Sequence, residues 1–429
     1  MSWGEGLSNA YEAASETMRA GYDTLAQATA DAYTASKQAA IDAVGYVGKK
    51  LKAGKQKVEN FVGAKPAGAP IGFCTNLNKA QRVAKRKQKI AASKQQLQTL
   101  PPGEERDTLA HATERLDFNN YAVERARLAD STYSVGQAPP PEGWQRPSKE
   151  DIEKLGLNPA DFPQFKTGFK ASEHTDGYFV ELYKTDPGVF GEEKYVLAYR
   201  GTQGGGDWAT NAKQAVGKDT EHYIEAMSLA RKAKKKLGDQ LEVTGHSLGG
   251  GMATAAGIVS GTKTFAFNPA GVHPATLERV GDFSRDHAFN SVGGKPLVDN
   301  VVVPGEILTS VQHPTVQRAT LAGITYVSPV AGAGVAGAGG RAMVEQGTVS
   351  YGMAGPRHDV PLLGNAKEVA EATAQGKSIQ GMTPTLAGKA NAAVNPVKKV
   401  EMHAMHSVIA GMEQQKADDL ALIEQRVKP

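Results

Sequence analysis

Cysteine is almost absent from this chain of 429 residues, in which Cys74 stands alone. An intramolecular disulfide framework is therefore excluded, although 40% hydrophobic residues suffice for a buried core. Neither sign of charge is in large excess, since 49 lysine and arginine residues face 45 acidic ones and leave a formal net charge of +4. That balance gives no reason to expect a nucleic-acid partner, and we predict none.

We expect no secretory signal in this sequence. Residues 1–6 lack the cationic start and apolar run of a secretory signal peptide. If the protein leaves its cell, we expect a route that needs no signal peptide, although a cytoplasmic protein fits equally well. The uncharged stretch 319–340 could span a bilayer by length, but repeated glycines and Pro329 make it a poor transmembrane helix. We expect an inserted loop or lid around 319–360, with membrane insertion as the alternative.

The middle of the chain alternates between strand-like and helix-like segments. Strands are predicted at 177–183, 195–199, 241–244, 264–268 and 300–303, and helices at 221–237 and 252–259. Such alternation is typical of an α/β fold with a mostly parallel sheet and helices on both faces.

One segment indicates the chemistry. Residues 241–251 read Leu-Glu-Val-Thr-Gly-His-Ser-Leu-Gly-Gly-Gly, so a Gly-x-Ser-x-Gly pattern centred on Ser247 follows a strand and precedes a helix. This is the context of a nucleophile elbow, in which a sharp turn exposes the serine hydroxyl. His246 adjoins the serine, and we expect it to project away from it.

A second segment supports this interpretation. The strand at 195–199 ends in Arg200-Gly201-Thr202, followed by a glycine-rich turn. An α/β-hydrolase places one oxyanion donor in such a strand-ending loop and takes the other from the N–H of the residue after the nucleophile. Thr202 and the N–H of Leu248 are therefore the candidate donors.

These segments carry a family resemblance. Tyr199-Arg200-Gly201-Thr202, Asp207-Trp208, the run from Thr244 to Gly251 and the run from Thr264 to Gly271 together resemble the class 3 lipase group of α/β-hydrolases. Within that group the chain is most similar to the bacterial lipase-type effectors of type VI secretion systems. The likeness covers about 129–312 and the C-terminal tail.

The two remaining members of a triad should follow the serine in the order acid, then histidine. Glu306 comes after a run of valines, at the place where the resembling lipases carry an aspartate, and Asp299 is the alternative. His403 stands where the resemblance places the catalytic histidine. His406, one helical turn further on, and His358 remain open as alternatives. We assign no cofactor and no metal site.

Before the hydrolase core we expect a helical N-terminal region. Residues 8–60 are rich in alanine with apolar side chains at helical spacing, and residues 76–98 form a basic, helix-prone stretch. The cations could form a solvated helix face or attract anionic lipid headgroups. We place a region for export, partner or membrane docking at 1–125 and the catalytic domain at 126–429.

The resemblance implies a serine lipase or phospholipase that cleaves membrane glycerophospholipids through an acyl-enzyme. It also implies a secreted antibacterial effector that is cytoplasmic in its producer and acts at target-cell membranes. An immunity protein and a secretion adaptor would then be its partners. The alternatives are an intracellular neutral-lipid or small-ester hydrolase and a membrane-active toxin without enzymatic activity.

Overall fold

The fold is known from a computed structural model. It describes residues 78–170, 178–201, 221–278, 281, 283, 287–288, 290–292, 295–304, 306, 355–361 and 403–427. The predicted helical region at 8–60 and residues 319–354 of the predicted lid lie outside this part of the chain.

Seven strands form one sheet in the order β1-β2-β3-β4-β5-β8-β9. From β3 to β9 every neighbouring pair is parallel, whereas β1 and β2 join the edge in antiparallel fashion. The predicted α/β fold with a mostly parallel sheet is thus confirmed. The strands are β1 Trp144–Gln145, β2 Val180–Thr185, β3 Tyr195–Tyr199, β4 Leu241–His246, β5 Lys263–Phe267, β8 Val298–Val302 and β9 Arg357–Asp359, and a separate hairpin pairs β6 Ser291–Val292 with β7 Lys295–Pro296.

Helices cover both faces of the sheet. The helices are α1 Lys79–Thr99, α2 Glu104–Ser131, α3 Lys149–Lys154, α4 Pro187–Phe190, α5 Glu221–Leu237, α6 Leu248–Ser260, α7 Pro274–Glu278 and α8 Met405–Arg426. Helices α5 and α6 share one apolar core with the sheet, and α2 and α8 share another with β5 and β8. No helix among these described residues is long and apolar enough to cross a bilayer.

Most predicted elements form close to their predicted bounds. Strand β3 and helix α5 match residue for residue, whereas β8 begins at Val298 instead of residue 300. The reason is its pairing with β5, which sets Val298 opposite Thr264 and so draws Asp299 into the strand. Strand β9 falls inside the segment predicted as a lid. The boundary predicted at residues 125 and 126 falls within α2, which is helical on both sides of it.

The basic stretch forms helix α1, and many of its cations are bound within the chain. Lys79 bonds the buried carboxylate of Glu124 at 2.7 Å. Lys94 pairs with Asp117 on α2, and Lys87 donates to the backbone carbonyl of Phe190, the last residue of α4. These contacts fasten α1 to α2 and α4, so they weaken the argument that the stretch serves to attract lipid headgroups.

Helix α2 is fastened to the strand that precedes the predicted elbow. The Arg125 guanidinium donates from Nε to Glu242 of β4 at 2.8 Å and lies 3.5 Å from the ring centroid of Tyr121, whose hydroxyl also donates to Glu242. Arg125 and Glu242 are both almost fully buried. Removing one partner of such a pair leaves a charge without its counterion in a medium of low polarity.

We predict that Arg125→Met lowers the free energy of unfolding by about 3–5 kcal/mol, because Glu242 stays buried without its partner. Urea denaturation of the purified protein measures this loss. Lys94→Met is the matched control, since it removes the cation of an exposed pair and should cost less than about 1 kcal/mol. Equal losses in the two variants would show that the buried Arg125–Glu242 pair contributes no more to stability than the exposed Lys94–Asp117 pair.

Candidate active site

The elbow is a strained turn at Ser247, between β4 and α6. Its φ of 58° and ψ of −125° lie in a region that a residue with a Cβ rarely adopts. The turn is held from the end of β5, because Ser247 N donates to Phe267 O at 3.1 Å and Ser247 O accepts from Ala270 N at 2.9 Å. The sharp strand-to-helix turn predicted from the sequence is therefore present.

The glycines of the Gly-x-Ser-x-Gly pattern are required by close backbone approach. A Cβ on Gly245 would overlap the carbonyl oxygen of Gly249, and a Cβ on Gly249 would overlap the carbonyl of Tyr199. Neither neighbour is a side chain that could move away. The pattern thus follows from the packing of α6 against the ends of β3 and β4.

The loop that follows β3 lies directly against the elbow. A Cβ built on Gly201 would stand 3.1 Å from Ser247 Cβ and 2.5 Å from His246 O. Thr202, the predicted oxyanion donor in this loop, lies outside the described residues. Leu248, the other predicted donor, is the first residue of α6, where backbone N–H groups have no acceptor within the helix.

Glu306 and His403 are bonded to each other. Glu306 follows β8 and is fully buried, and its Oε2 lies 2.6 Å from Nδ1 of His403, just ahead of α8. The His403 side chain is 15% exposed. A buried carboxylate on Nδ1 fixes the ring orientation and leaves Nε2 as the nitrogen that can exchange a proton.

The backbone of His403 is tied to the elbow. Its carbonyl oxygen accepts from Nε2 of His246 at 2.7 Å and from Nδ2 of Asn268 at 2.9 Å. The rings of His246 and His403 have centroids 4.7 Å apart. Since His246 directly precedes Ser247, these bonds bring the Glu306–His403 pair to the serine.

Asn268 connects three parts of the site. It follows β5 with a φ of 39°, and its backbone N–H donates to Val301 O at 2.9 Å. Its side-chain Oδ1 accepts from Val303 N, also at 2.9 Å, while Nδ2 holds His403. One residue therefore fixes the ends of β5 and β8 and the backbone of His403.

The alternative residues lie elsewhere. In the register of the sheet Asp299 lies opposite Phe265, and Phe265 lies opposite Thr244. Asp299 is therefore at the height of the residue three positions before Ser247. It binds His358 Nε2 at 2.7 Å and also Lys263, and although burial raises the pKa of Asp299, these partners keep it below its ordinary value. The structure thus assembles a separate Asp299–His358 pair in the sheet.

His358 stacks on Phe118 of α2, with ring centroids 3.9 Å apart. His406 is an exposed residue of α8. The structure bonds Glu306 to His403 and ties the backbone of His403 to His246, the residue before Ser247.

Comparison with known proteins identifies the family of the chain. A family model described as a Tle-like phospholipase domain, of the phospholipase-like group, matches residues 124–356, which is more than half of the chain. The chain belongs to this phospholipase family. The resemblance to lipase-type effectors drawn from the sequence motifs is thereby confirmed.

One similar protein is also named as a phospholipase. The chain is 37% identical over 163 residues to an extracellular phospholipase A1 of Serratia liquefaciens. The matched segment is 38% of this chain and 45% of that protein, so the chain spans less than half the length of this relative.

Three residues that hold this arrangement together were missed from the sequence. Tyr133, in a 3-10 turn at the end of α2, bonds Nδ1 of His246 at 2.7 Å, and His246 and Asn268 bond His403. Asn268 lies in a segment that contributed to the family resemblance, so the sequence could have suggested a role for this residue. Nothing in the sequence near Tyr133 indicated that its hydroxyl reaches the elbow.

A cavity of about 350 Å³ opens at the same edge of the sheet. Its wall includes Tyr178, just before β2, and His222 at the start of α5. Tyr178 stands close to Gly201, because Arg200 N donates to Phe179 O across the β2–β3 pair. Among the described residues no group of three or more His, Cys, Asp or Glu side chains could hold a metal ion.

His246 is held neutral in the folded protein. Burial and then the neighbouring His403 place its pKa well below the ordinary value of 6.5. Below about pH 6.5 the unfolded chain binds a proton at this position that the folded chain does not, so the contribution of His246 to stability decreases as the pH falls.

We predict that the wild type loses about 1 kcal/mol more stability between pH 7.5 and pH 5.5 than His246→Gln, whose neutral side chain does not titrate. Urea denaturation of both proteins at the two pH values gives this difference, and the other titrating groups cancel. Equal losses would show that His246 takes up its proton in the folded state.

Proposed function

We propose that Ser247, His403 and Glu306 form a catalytic triad that hydrolyses the carboxylic esters of membrane glycerophospholipids. The observation that carries the proposal is the bonded Glu306–His403 pair, held through the His403 carbonyl beside the strained turn at Ser247. The order serine, acid, histidine is that of α/β-hydrolases. Membership of the phospholipase family supports the substrate class.

In the proposed reaction Ser247 Oγ attacks the acyl carbonyl while Nε2 of His403 takes the hydroxyl proton. The resulting imidazolium stays bonded through Nδ1 to Glu306, which stabilises its charge. The proton then passes to the leaving lysophospholipid alcohol. Water, activated by the same histidine, cleaves the acyl-enzyme, releases the fatty acid and restores the serine.

The tetrahedral intermediates carry a negative charge on one oxygen, and two N–H or O–H donors should hold it. We assign these roles to the Leu248 N–H, at the positive end of the α6 dipole, and to Thr202. The approach of Gly201 to Ser247 supports the second assignment, because it brings the start of the Thr202 loop to the elbow.

The first acyl position is the proposed point of cleavage. Its support is the 37% identity over 163 residues to a protein named phospholipase A1. The cavity beside Tyr178 lies at the same sheet edge as Ser247 and offers space for part of a lipid.

For the biological setting we propose an antibacterial effector that leaves the producer by a type VI-like route and attacks target-cell membranes. The family description supports this role. We further propose that residues 1–125 dock a secretion adaptor, that 319–360 include a lid and that an immunity protein blocks the enzyme. These three proposals rest on the sequence resemblance.

We predict that the full chain releases fatty acid and a lysophospholipid from vesicles and that Ser247→Ala lowers the rate by at least about 10³-fold, because the nucleophile is gone. Mass spectrometry of a phosphatidylcholine with different acyl chains at its two positions identifies the bond. Loss of the first chain supports the assigned position.

The same two proteins separate the alternatives. Directed to the periplasm of a bacterial host, the wild type should stop growth and Ser247→Ala should not. Vesicle leakage or growth arrest that persists in Ser247→Ala would instead favour a membrane-active toxin without enzymatic activity. Activity on neutral lipids or small esters alone would contradict the phospholipid assignment.

Glu306 and Asp299 can be compared directly as candidate acids. We predict that Glu306→Gln lowers kcat by about 10³–10⁴-fold, since the amide cannot stabilise the imidazolium and disturbs the tautomer. Asp299→Asn, which changes the buried acid of the other pair, should leave kcat close to that of the wild type. Rates are expressed per serine titrated with a fluorophosphonate, and a larger loss in Asp299→Asn would reassign the acid.

A further inference from the structure

We propose that His246 is a positioning residue for the base, and that Tyr133 in turn fixes His246. The proposal rests on the triad proposed above and extends it to two residues that do not touch the substrate. Its basis is a chain of hydrogen bonds from Tyr133 Oη through the His246 ring to the His403 carbonyl.

The direction of each bond in this chain is determined by chemistry. The His403 carbonyl can only accept, so Nε2 of His246 carries the hydrogen and donates at 2.7 Å. Because His246 is neutral, its Nδ1 is an acceptor and takes the hydroxyl hydrogen of Tyr133, also at 2.7 Å. Tyr133 therefore selects the only tautomer of His246 that can hold His403.

The neutrality of His246 matters for the charge that develops next to it. Its ring centroid is 4.7 Å from that of His403, which becomes an imidazolium when it takes the serine proton. A second positive charge at this separation would oppose that step, and the opposition would be strong because His246 is almost fully buried. The position therefore suits a hydrogen-bond donor that carries no charge.

Tyr133 also contacts the loop on the other side of the serine. A Cβ added to Gly201 would overlap the Tyr133 hydroxyl as well as approach His246 O. The hydroxyl thus lies close to both the His246 ring and Gly201, the second residue after β3. One bond chain fixes the spacing of the base, the nucleophile and the start of this loop.

Small displacements of a catalytic group reduce the rate strongly, since an error of about 1 Å can cost about 10²-fold. Loss of the His246 donor leaves Asn268 to hold the His403 carbonyl from one side. We therefore expect the loss in kcat rather than in KM, because His246 acts on the geometry of the base and not on substrate binding.

The experiment compares His246→Leu, which has no donor, with His246→Gln, whose amide can reach the position of Nε2. Kinetics are measured on phosphatidylcholine vesicles and expressed per serine titrated with a fluorophosphonate, and thermal unfolding is followed in parallel. We expect His246→Leu to lower kcat by about 10–100-fold at unchanged KM and His246→Gln to recover most of that loss.

Tyr133→Phe keeps the size of the side chain and removes only the hydroxyl, so it tests the chain even if His246→Leu fails to fold. We expect a several-fold fall in kcat, and the double variant Tyr133→Phe/His246→Gln should be far from additive, because both residues act through one carbonyl. His358→Leu is the matched control, since it removes the histidine of the other pair and should leave kcat unchanged.

The outcomes separate this proposal from the proposed function. Loss of hydrolysis in Ser247→Ala together with unchanged kcat in His246→Leu and Tyr133→Phe would overturn the positioning role and leave the triad intact. A lower unfolding temperature with normal kcat per titrated serine would also overturn it, because that result describes a structural role. Hydrolysis that persists in Ser247→Ala would refute the triad itself.

Discussion

The site depends on how one backbone carbonyl is held. His403 comes from the region before the last helix, 157 residues after His246, and nothing local could bring it to the elbow. Two donors from the ends of adjacent parallel strands, His246 at the end of β4 and Asn268 just after β5, meet on its oxygen. The carboxyl ends of parallel strands lie at one edge of the sheet, so the topology itself supplies the meeting point.

Buried hydrogen bonds between α2 and β4 also stabilise this arrangement. Glu242 of β4, four residues before His246, binds Arg125 and Tyr121 of α2, and the same helix continues into the turn that carries Tyr133. The strained conformation of Ser247 is tolerated because the strand before it and the backbone after it are both fixed. Helix α2 is thus part of the apparatus that holds the elbow.

The sequence predicted the elements whose signals are local. Apolar runs and glycine spacing were enough for β3, α5 and the Ser247 elbow, because propensity and burial agree there. The start of β8 was misjudged, since its pairing with β5 decides which residues extend the strand. Strand β9 carries the charged run Arg-His-Asp and was not predicted as a strand at all.

Side-chain partners were harder to predict than elements. Two other histidines, His406 and His358, competed with His403 as the partner of Glu306. The order of motifs alone could not exclude the Asp299–His358 pair that the sheet also assembles. His246 was expected to project away from the serine. Its contact with the His403 carbonyl was not predicted, because it depends on a residue 157 positions further along the chain. Contacts of that separation leave no periodic trace in a single sequence.

Helices α2 and α8 are joined by polar contacts, among them Arg127 with Glu413, Arg115 with Asp419 and Asn119 with Gln415. The contacts that hold the elbow come from strands β4 and β5 and helix α6, which are neighbours along the chain. The proposed site therefore has two parts. The serine turn is built from contacts between elements that are close along the chain, whereas His403, the proposed base, is positioned by the docking of the distant helix α8. Partial opening that separates α8 from α2 would disconnect the base while the central sheet stays folded.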